Sequence, residues 1–301
     1  MFAHALSSSS SKKTTPRIFV VTGATDGIGR HTAQKLASDG HGLIVHGRRS
    51  YNDIGSSLTT DLMSLGAPFA HYVQADLSDL NQVEDLSTQI HSMVDKVDVL
   101  INNAGVFDPS PHVSVQNHDM TWAVNVMAPF LLTRRLLPLL AKGDEPRIIT
   151  TSSISQSYQL PSFDKLYASE DGSTPVGFNS GHSSYSWSKL GDAMFTSKLA
   201  SILSSQSNKR LSTIKCLTMD PGTVNTKMLI AGWGACGIPV KKANNTYKLA
   251  ATEYGSQQIS GSYHFGGSVS PDAKNPEILN EFWKVLEKST GCSYDNLDKC
   301  L

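Results

Sequence analysis

From residue 17 onward, short runs of β-branched and apolar residues alternate with longer stretches in which apolar positions recur every three or four residues. The first pattern suits strands buried on both faces, the second amphipathic helices. Strands are predicted at 18–22, 42–47, 69–74, 97–101, 147–151 and 212–219, with a last one near 261–265. Helices are predicted at 27–38, 56–65, 80–94, 115–140, 184–203, 241–252 and 276–288. Such alternation predicts an α/β fold, a single-domain Rossmann-type doubly wound parallel sheet with helices on both faces. The 301 residues can bury one ample core, and no internal repeat divides them. The expected organisation is a disordered N-terminal tail over 1–16, a dinucleotide-binding catalytic domain over 17–290 and a C-terminal tail over 291–301.

One stretch breaks the rhythm. Residues 154–183 are polar and aromatic, with Tyr158, Phe163, Tyr167 and Phe178 among them. Long loops inside compact domains are commonly functional. The segment reads as an insertion over the active site or, alternatively, as a partly disordered loop.

Composition narrows the partners. Lys+Arg and Asp+Glu both number 26, so no basic surplus exists to neutralise nucleic-acid phosphates, and a small molecule is the expected partner. Cys216, Cys236, Cys292 and Cys300 show neither CxxC spacing nor the density of a disulfide scaffold, which suits a reducing intracellular compartment. Apolar runs look too short to cross a bilayer, so no integral membrane segment is expected, and no metal site either. The serine-rich start with Lys12 and Lys13 reads as a disordered tail on a cytoplasmic protein, with an organelle-import peptide as the alternative.

Between the first strand and first helix stands Thr22-Gly23-Ala24-Thr25-Asp26-Gly27-Ile28-Gly29. In that context glycines let backbone N–H groups approach a pyrophosphate at a helix N-terminus, although a tight turn without a ligand reads the same way. No Gly-Lys-Ser/Thr follows, which argues against a P-loop nucleotidase. An NAD-selective site usually carries an acid at the end of the second strand; this chain has His46-Gly47-Arg48-Arg49. Arg48, with Arg30 directly after the third glycine, points to a coenzyme 2′-phosphate and hence to NADP(H) rather than NAD(H), because planar guanidinium forks bind such groups bidentately. For Arg30 and Arg49 an exposed surface arginine is the alternative.

Of the nine tyrosines only Tyr185 has a lysine four residues on, Lys189. On a helix the two share a face, and an ammonium beside a phenol favours the tyrosinate. An unperturbed tyrosine, with a pKa of about 10, holds its proton too tightly for fast exchange near neutrality. The pair therefore reads as a proton donor beside a bound dinucleotide. Met228, Leu229, Ile230 and Trp233, with the aromatics of the insertion, suggest an apolar pocket or, alternatively, ordinary packing beneath a loop.

These residues combine with Asn102-Asn103-Ala104-Gly105, Asn125, Ser152-Ser153, Asp76-Leu77 and Pro221-Gly222-Thr223-Val224-Asn225-Thr226. In that order the chain resembles a short-chain dehydrogenase/reductase over nearly its whole length. The Gly-Ile-Gly-Arg ending of the turn, Phe130-Leu131-Leu132-Thr133 and 261–265 resemble the retinol-dehydrogenase-like and WW-domain-oxidoreductase-like branch, without WW domains. The resemblance implies that Asn125, Ser153, Tyr185 and Lys189 are catalytic. Ser153, or its neighbour Ser152, would hydrogen-bond the substrate oxygen, Asn125 would kink its helix and hold a water, and Lys189 would also hold the nicotinamide ribose. It implies coenzyme contacts from Gly23, Thr25, Asp26, Gly27, Ile28, Gly29 and Arg30, and from Arg48, Asp76 and Leu77. Further contacts would come from Asn103, Ala104, Gly105, Tyr185, Lys189, Pro221, Gly222, Val224 and Thr226. The implied function is an NADP(H)-dependent oxidoreductase interconverting an apolar aldehyde or ketone with its alcohol, as a homodimer or homotetramer. Alternatives are a non-catalytic coenzyme-binding sensor or scaffold, and an epimerase or dehydratase. Asp26 argues against the latter, since it stands where those relatives have their middle glycine.

Overall fold

The computed structural model describes residues 15–110, 112–167 and 180–300. Phe178 and nearly all of the expected N-terminal tail lie outside them. Seven strands, β1 Ile18–Val21, β2 Gly42–Gly47, β3 Ala70–Gln74, β4 Val99–Asn102, β5 Arg147–Thr151, β6 Lys215–Met219 and β7 Tyr263–His264, form one sheet in the order β3-β2-β1-β4-β5-β6-β7. Every neighbouring pair is parallel. This is the doubly wound sheet that the hydrophobic pattern predicts. Chain direction across the sheet reverses between β1 and β4, and ligands of such sheets bind beyond the strand ends at that switch point.

Successive strand residues project to opposite faces, so each strand feeds two cores. Phe19, Val21, Leu43, Val45, Ile101 and Leu217 pack beneath α1 Gly27–Ser38, α2 Ser56–Ser64 and, late in the chain, Asn245–Ala251. Val20, Ile44, Val73, Leu100, Ile148 and Cys216 pack beneath α3 Leu80–Met93, α4 Met120–Leu140, α5 Gly181–Ser204 and Pro276–Thr290. Trp122 is fully buried in this second core, and its indole N–H donates to the Tyr167 hydroxyl at 2.6 Å.

Several boundaries differ from expectation for local reasons. The helix expected from 115 starts at Met120, because the Asp119 carboxylate caps it by accepting the Trp122 N–H at 2.9 Å. Expected helix 241–252 shortens to α7 Asn245–Ala251, since Ala243 leaves the helical region at φ −80° and ψ 77°. The strand expected from 212 begins at Lys215, after a helical turn at Lys209–Ser212 capped by Asn208. A helix the sequence did not announce, α6 Lys227–Trp233, is capped by Thr226 accepting the Leu229 N–H at 3.2 Å.

Two further corrections concern burial. From the stretch expected as a C-terminal tail after α8 Pro276–Thr290, described residues pack onto the domain. Cys292, Tyr294 and Leu297 are buried, and the Tyr294 hydroxyl donates to the Phe130 carbonyl at 2.7 Å. The second concerns α4, whose 21 residues are by length and composition apolar enough to cross a bilayer, contrary to expectation. Its most apolar window is 89% buried among the other elements, which makes it the core helix of the fold.

Candidate active site

The glycine turn is fixed from both sides. Gly23 takes φ +65°, and a Cβ there would sit 2.8 Å from Ala104 Cα. At Gly29 a Cβ would sit 2.4 Å from the Gly23 carbonyl oxygen, so the first helical turn can lie against the loop only without a side chain. Thr22 Oγ1 accepts the N–H groups of Asn103 at 3.1 Å and Ala104 at 3.0 Å, while Asn103 Nδ2 donates to the Thr22 carbonyl at 2.9 Å. From β2, His46 Nδ1 accepts the Gly23 N–H at 3.2 Å and its Nε2 donates to the Ala75 carbonyl at 3.0 Å. Those two bonds specify the neutral tautomer. Burial keeps the ring neutral too, pushing its pKa down to about 4.

Beyond the ends of β1 and β4 opens a cleft of about 890 Å³. It is lined by Gly23, Thr25, Asp26, Gly27, Ile28, Gly29, Arg48, Asp76, Leu77, Asn103, Ala104 and Gly105 from the first half of the chain. Ser153, Tyr185, Lys189, Pro221, Gly222, Val224 and Thr226 complete it from the second. Two of the anticipated residues lie elsewhere. Arg30 points along α1 to Asp61, its guanidinium 3.0 Å from the carboxylate, and does not line the cleft. Asn125 stands behind the wall. Its Oδ1 accepts the Val106 N–H at 2.8 Å, and its Nδ2 donates to the Val106 carbonyl at 3.1 Å and to Ser188 Oγ at 2.9 Å. The surrounding turn, Ala123–Met127, widens to a π-helical bond from Ala128 N–H to the Ala123 carbonyl. Pro129, which has no N–H, cannot donate to the Asn125 carbonyl four residues back.

Asp26 caps α1 by accepting the Gly27 N–H at 2.8 Å and forms an exposed ion pair with Lys227 of α6 at 2.7 Å. That hydrogen-bonded partner holds the Asp26 carboxyl below the usual range. Arg48 is exposed at the rim, and no acid accompanies it at the end of β2.

At the other end of the cleft, the Tyr185 and Ser153 side chains line one wall together, close enough for the serine hydroxyl to act on the phenol. Ser152 turns away and donates to the Lys189 carbonyl at 2.6 Å. Lys189 Nζ donates to the Thr151 carbonyl at 2.8 Å and to Asp192 Oδ2 at 2.9 Å, and it lies 5.5 Å from the Tyr185 ring centroid. Burial raises the Tyr185 pKa, and the Lys189 charge and the Ser153 hydroxyl only partly oppose it. Lys189 lowers the phenol's pKa as expected, but burial outweighs it, and the Asp192 and Asp220 carboxylates add to the effect of burial. Burial drives Asp192 itself up to about 7 against the pull of Lys189.

Three rings stand around this phenol. Phe107 packs edge-on to Tyr185 at 6.0 Å, Trp233 lies 5.4 Å from Tyr185 and 4.8 Å from Phe107, and His182 contacts both Phe107 and Trp233 at 5.0 Å. Met228 and Leu229 complete an apolar end of the cleft, whereas Ile230 is exposed. From the insertion, Ile154 and Ser155 line the cleft, Tyr167 is buried in the core and Tyr158 is exposed. Sequence reasoning missed Phe107, His46, His182 and Asp192. The available signals were slight: an aromatic two residues after Gly105, a histidine in an apolar strand, another three residues before Tyr185, and an acid on a mostly apolar helix.

A doubly wound sheet with a glycine turn and a Tyr-Lys helix meeting at its switch point defines a nucleotide-binding α/β chain of Rossmann type. The chain belongs to the short chain dehydrogenase family, whose profile matches residues 17–172. That match ends before Tyr185, and individual relatives extend it. Mouse polyprenol dehydrogenase is 30% identical over 224 positions, 72% of this chain and 63% of that protein, so the match leaves over a third of that relative uncovered. Human retinol dehydrogenase 13 is 29% identical over 307 aligned positions, covering 93% of this chain and 87% of that one. Among solved structures, a short chain dehydrogenase from Burkholderia cenocepacia in complex with NADP superposes with a TM-score of 0.62 at 22% identity, covering 86% of this chain and 98% of that one. At that identity the likeness speaks for the fold.

Proposed function

We propose that this chain is an NADP(H)-dependent oxidoreductase that interconverts an aldehyde or ketone with its alcohol on an apolar substrate, using Tyr185 as general acid and base. The observation that carries the reading is that Ser153, Tyr185 and Lys189 meet at the apolar end of one cleft, with the Lys189 ammonium 5.5 Å from the phenol ring. The two hydroxyls can hold one substrate oxygen between them. The retinol and polyprenol dehydrogenase relatives are consistent with an apolar alcohol, and the NADP of the Burkholderia structure with the coenzyme.

The residues present fit a dinucleotide. Gly23 and Gly29 let the turn pack tightly against Ala104 and the first helical turn, and both line the cleft at the N-terminus of α1. Arg48 would meet a 2′-phosphate, Asp76 and Leu77 the adenine side, and Lys189 the nicotinamide ribose. When bound, the coenzyme supplies the hydride for the carbonyl carbon, or receives it from the alcohol. Tyr185, held protonated by burial, donates its proton to the developing alkoxide as Ser153 hydrogen-bonds the same oxygen. Reduction is therefore the direction for which the free site is poised. In oxidation the phenol must first ionise, and the charge of the oxidised nicotinamide adds to that of Lys189 to favour it.

The same reading includes a cytoplasmic homodimer or homotetramer, which sedimentation and fractionation test. The test of the reaction is a panel of carbonyls and alcohols with each coenzyme, followed by absorbance of the reduced nicotinamide. Turnover of apolar members with NADPH is expected. Turnover of small polar carbonyls alone, or none with either coenzyme, would overturn the reading.

A further inference from the structure

Asp192 is a carboxylate that the proton transfer does not require and that lies directly against it. Three residues after Lys189 on α5, it accepts from Lys189 Nζ at 2.9 Å, and the two side chains are only 5% and 2% exposed. Lys189 is already held by the Thr151 carbonyl at 2.8 Å, so position alone does not call for a charge. Two opposite charges excluded from water both act on the neighbouring phenol, the ammonium favouring its ionisation and the carboxylate opposing it. Asp220, after β6, also opposes ionisation of Tyr185, and His182, three residues earlier on α5, packs on Phe107 and Trp233 beside the phenol.

We propose that Asp192 is a positioning residue that balances the Lys189 charge and so sets the pH at which Tyr185 gives up its proton. The proposal rests on Tyr185 being the proton-transfer group. It has a definite sign. Removing the negative charge makes both Tyr185 and Lys189 more acidic, so the apparent titration of the pair must move down whichever of them ionises first.

The test is an ultraviolet titration of the tyrosinate band with NADP⁺ bound, in the parent and in Asp192→Asn, each corrected by the same chain carrying Tyr185→Phe. Ionisation of Tyr185 is expected to become about tenfold easier at a given pH, a downward move of about one unit. The pH midpoint of alcohol oxidation should follow it. Asp192→Ser serves as a second neutral variant should the amide not fold. Asp192→Glu, which keeps the charge, should titrate as the parent does. An unmoved or raised midpoint in the neutral variants, or a shift with Glu as large as with Asn, would overturn the assignment. Near-parental turnover in Tyr185→Phe would instead defeat the proton-transfer reading, and the titration would still report on Asp192.

Discussion

His46 on β2 and Gly23, in the turn after the neighbouring β1, are joined by a hydrogen bond in which the imidazole Nδ1 accepts the glycine N–H at 3.2 Å. The same ring donates to the Ala75 carbonyl at 3.0 Å, so one neutral side chain braces both the phosphate turn and the loop that carries Asp76 and Leu77. A protonated ring has no lone pair to offer Gly23.

Stability should therefore depend on pH through His46. Its folded pKa, about 4, lies below the ordinary 6.5, so the fold prefers the neutral ring. The stabilisation is complete above about pH 6.5 and is lost as pH falls toward 4, amounting at most to about 3 kcal/mol. Urea unfolding between pH 7 and 4 is expected to show this loss. His46→Ala should flatten that part of the profile while weakening coenzyme binding.

Tyr185→Phe removes the proton and leaves the phosphate turn untouched. Turnover should fall by about 10²- to 10⁴-fold, with coenzyme affinity nearly unchanged. Stopped-flow reduction together with fluorescence titration of NADPH measures both, and a near-parental rate would end the mechanism.

At the end of β2 it is Arg48 that lines the cleft, and Arg30 is committed to Asp61. A charge-assisted contact to a phosphate contributes about 1.5–3 kcal/mol, so Arg48→Ala should cut NADPH affinity by about ten- to a hundredfold and leave NADH nearly unaffected. Calorimetric titration with both coenzymes decides it. If the parent binds the two equally, the assignment of NADP(H) fails.

Phe107 and Trp233 pack against each other at 4.8 Å beside the phenol. Losing one ring removes about 0.5–1.5 kcal/mol of aromatic contact beyond its area. Phe107→Ala or Trp233→Ala should raise KM for bulky apolar substrates by about tenfold and change kcat less. A KM that stays put for bulky and small substrates alike would argue that these rings only cover the site.

Much of the site could be read from residue order because its parts lie within one turn or one loop of each other. Gly23 to Gly29, Asn103 to Gly105, Tyr185 with Lys189, and Pro221 to Thr226 are local segments, and each lines the single cleft where the sequence analysis put it. Arg30 defied that reading because its partner, Asp61, comes from a different helix. Asn125 sits behind the wall because its amide is spent on Val106 and Ser188. The aromatics of the insertion separate for a similar reason: Tyr167 finds Trp122, 45 positions away, and becomes core.

Sequence alone determined the alternation of strands and helices, the glycine turn and the Tyr-Lys face, since hydrophobic period, φ freedom and helical spacing act between near neighbours along the chain. Tertiary structure alone decided that Tyr294 docks on Phe130, 164 positions earlier, that Phe107 meets Trp233, and that burial raises the phenol's pKa. Asp192 is only three residues from Lys189 in sequence, yet its influence depends on exclusion of water from both. The strength of a charge is set by its surroundings, and those surroundings exist only once distant segments have packed.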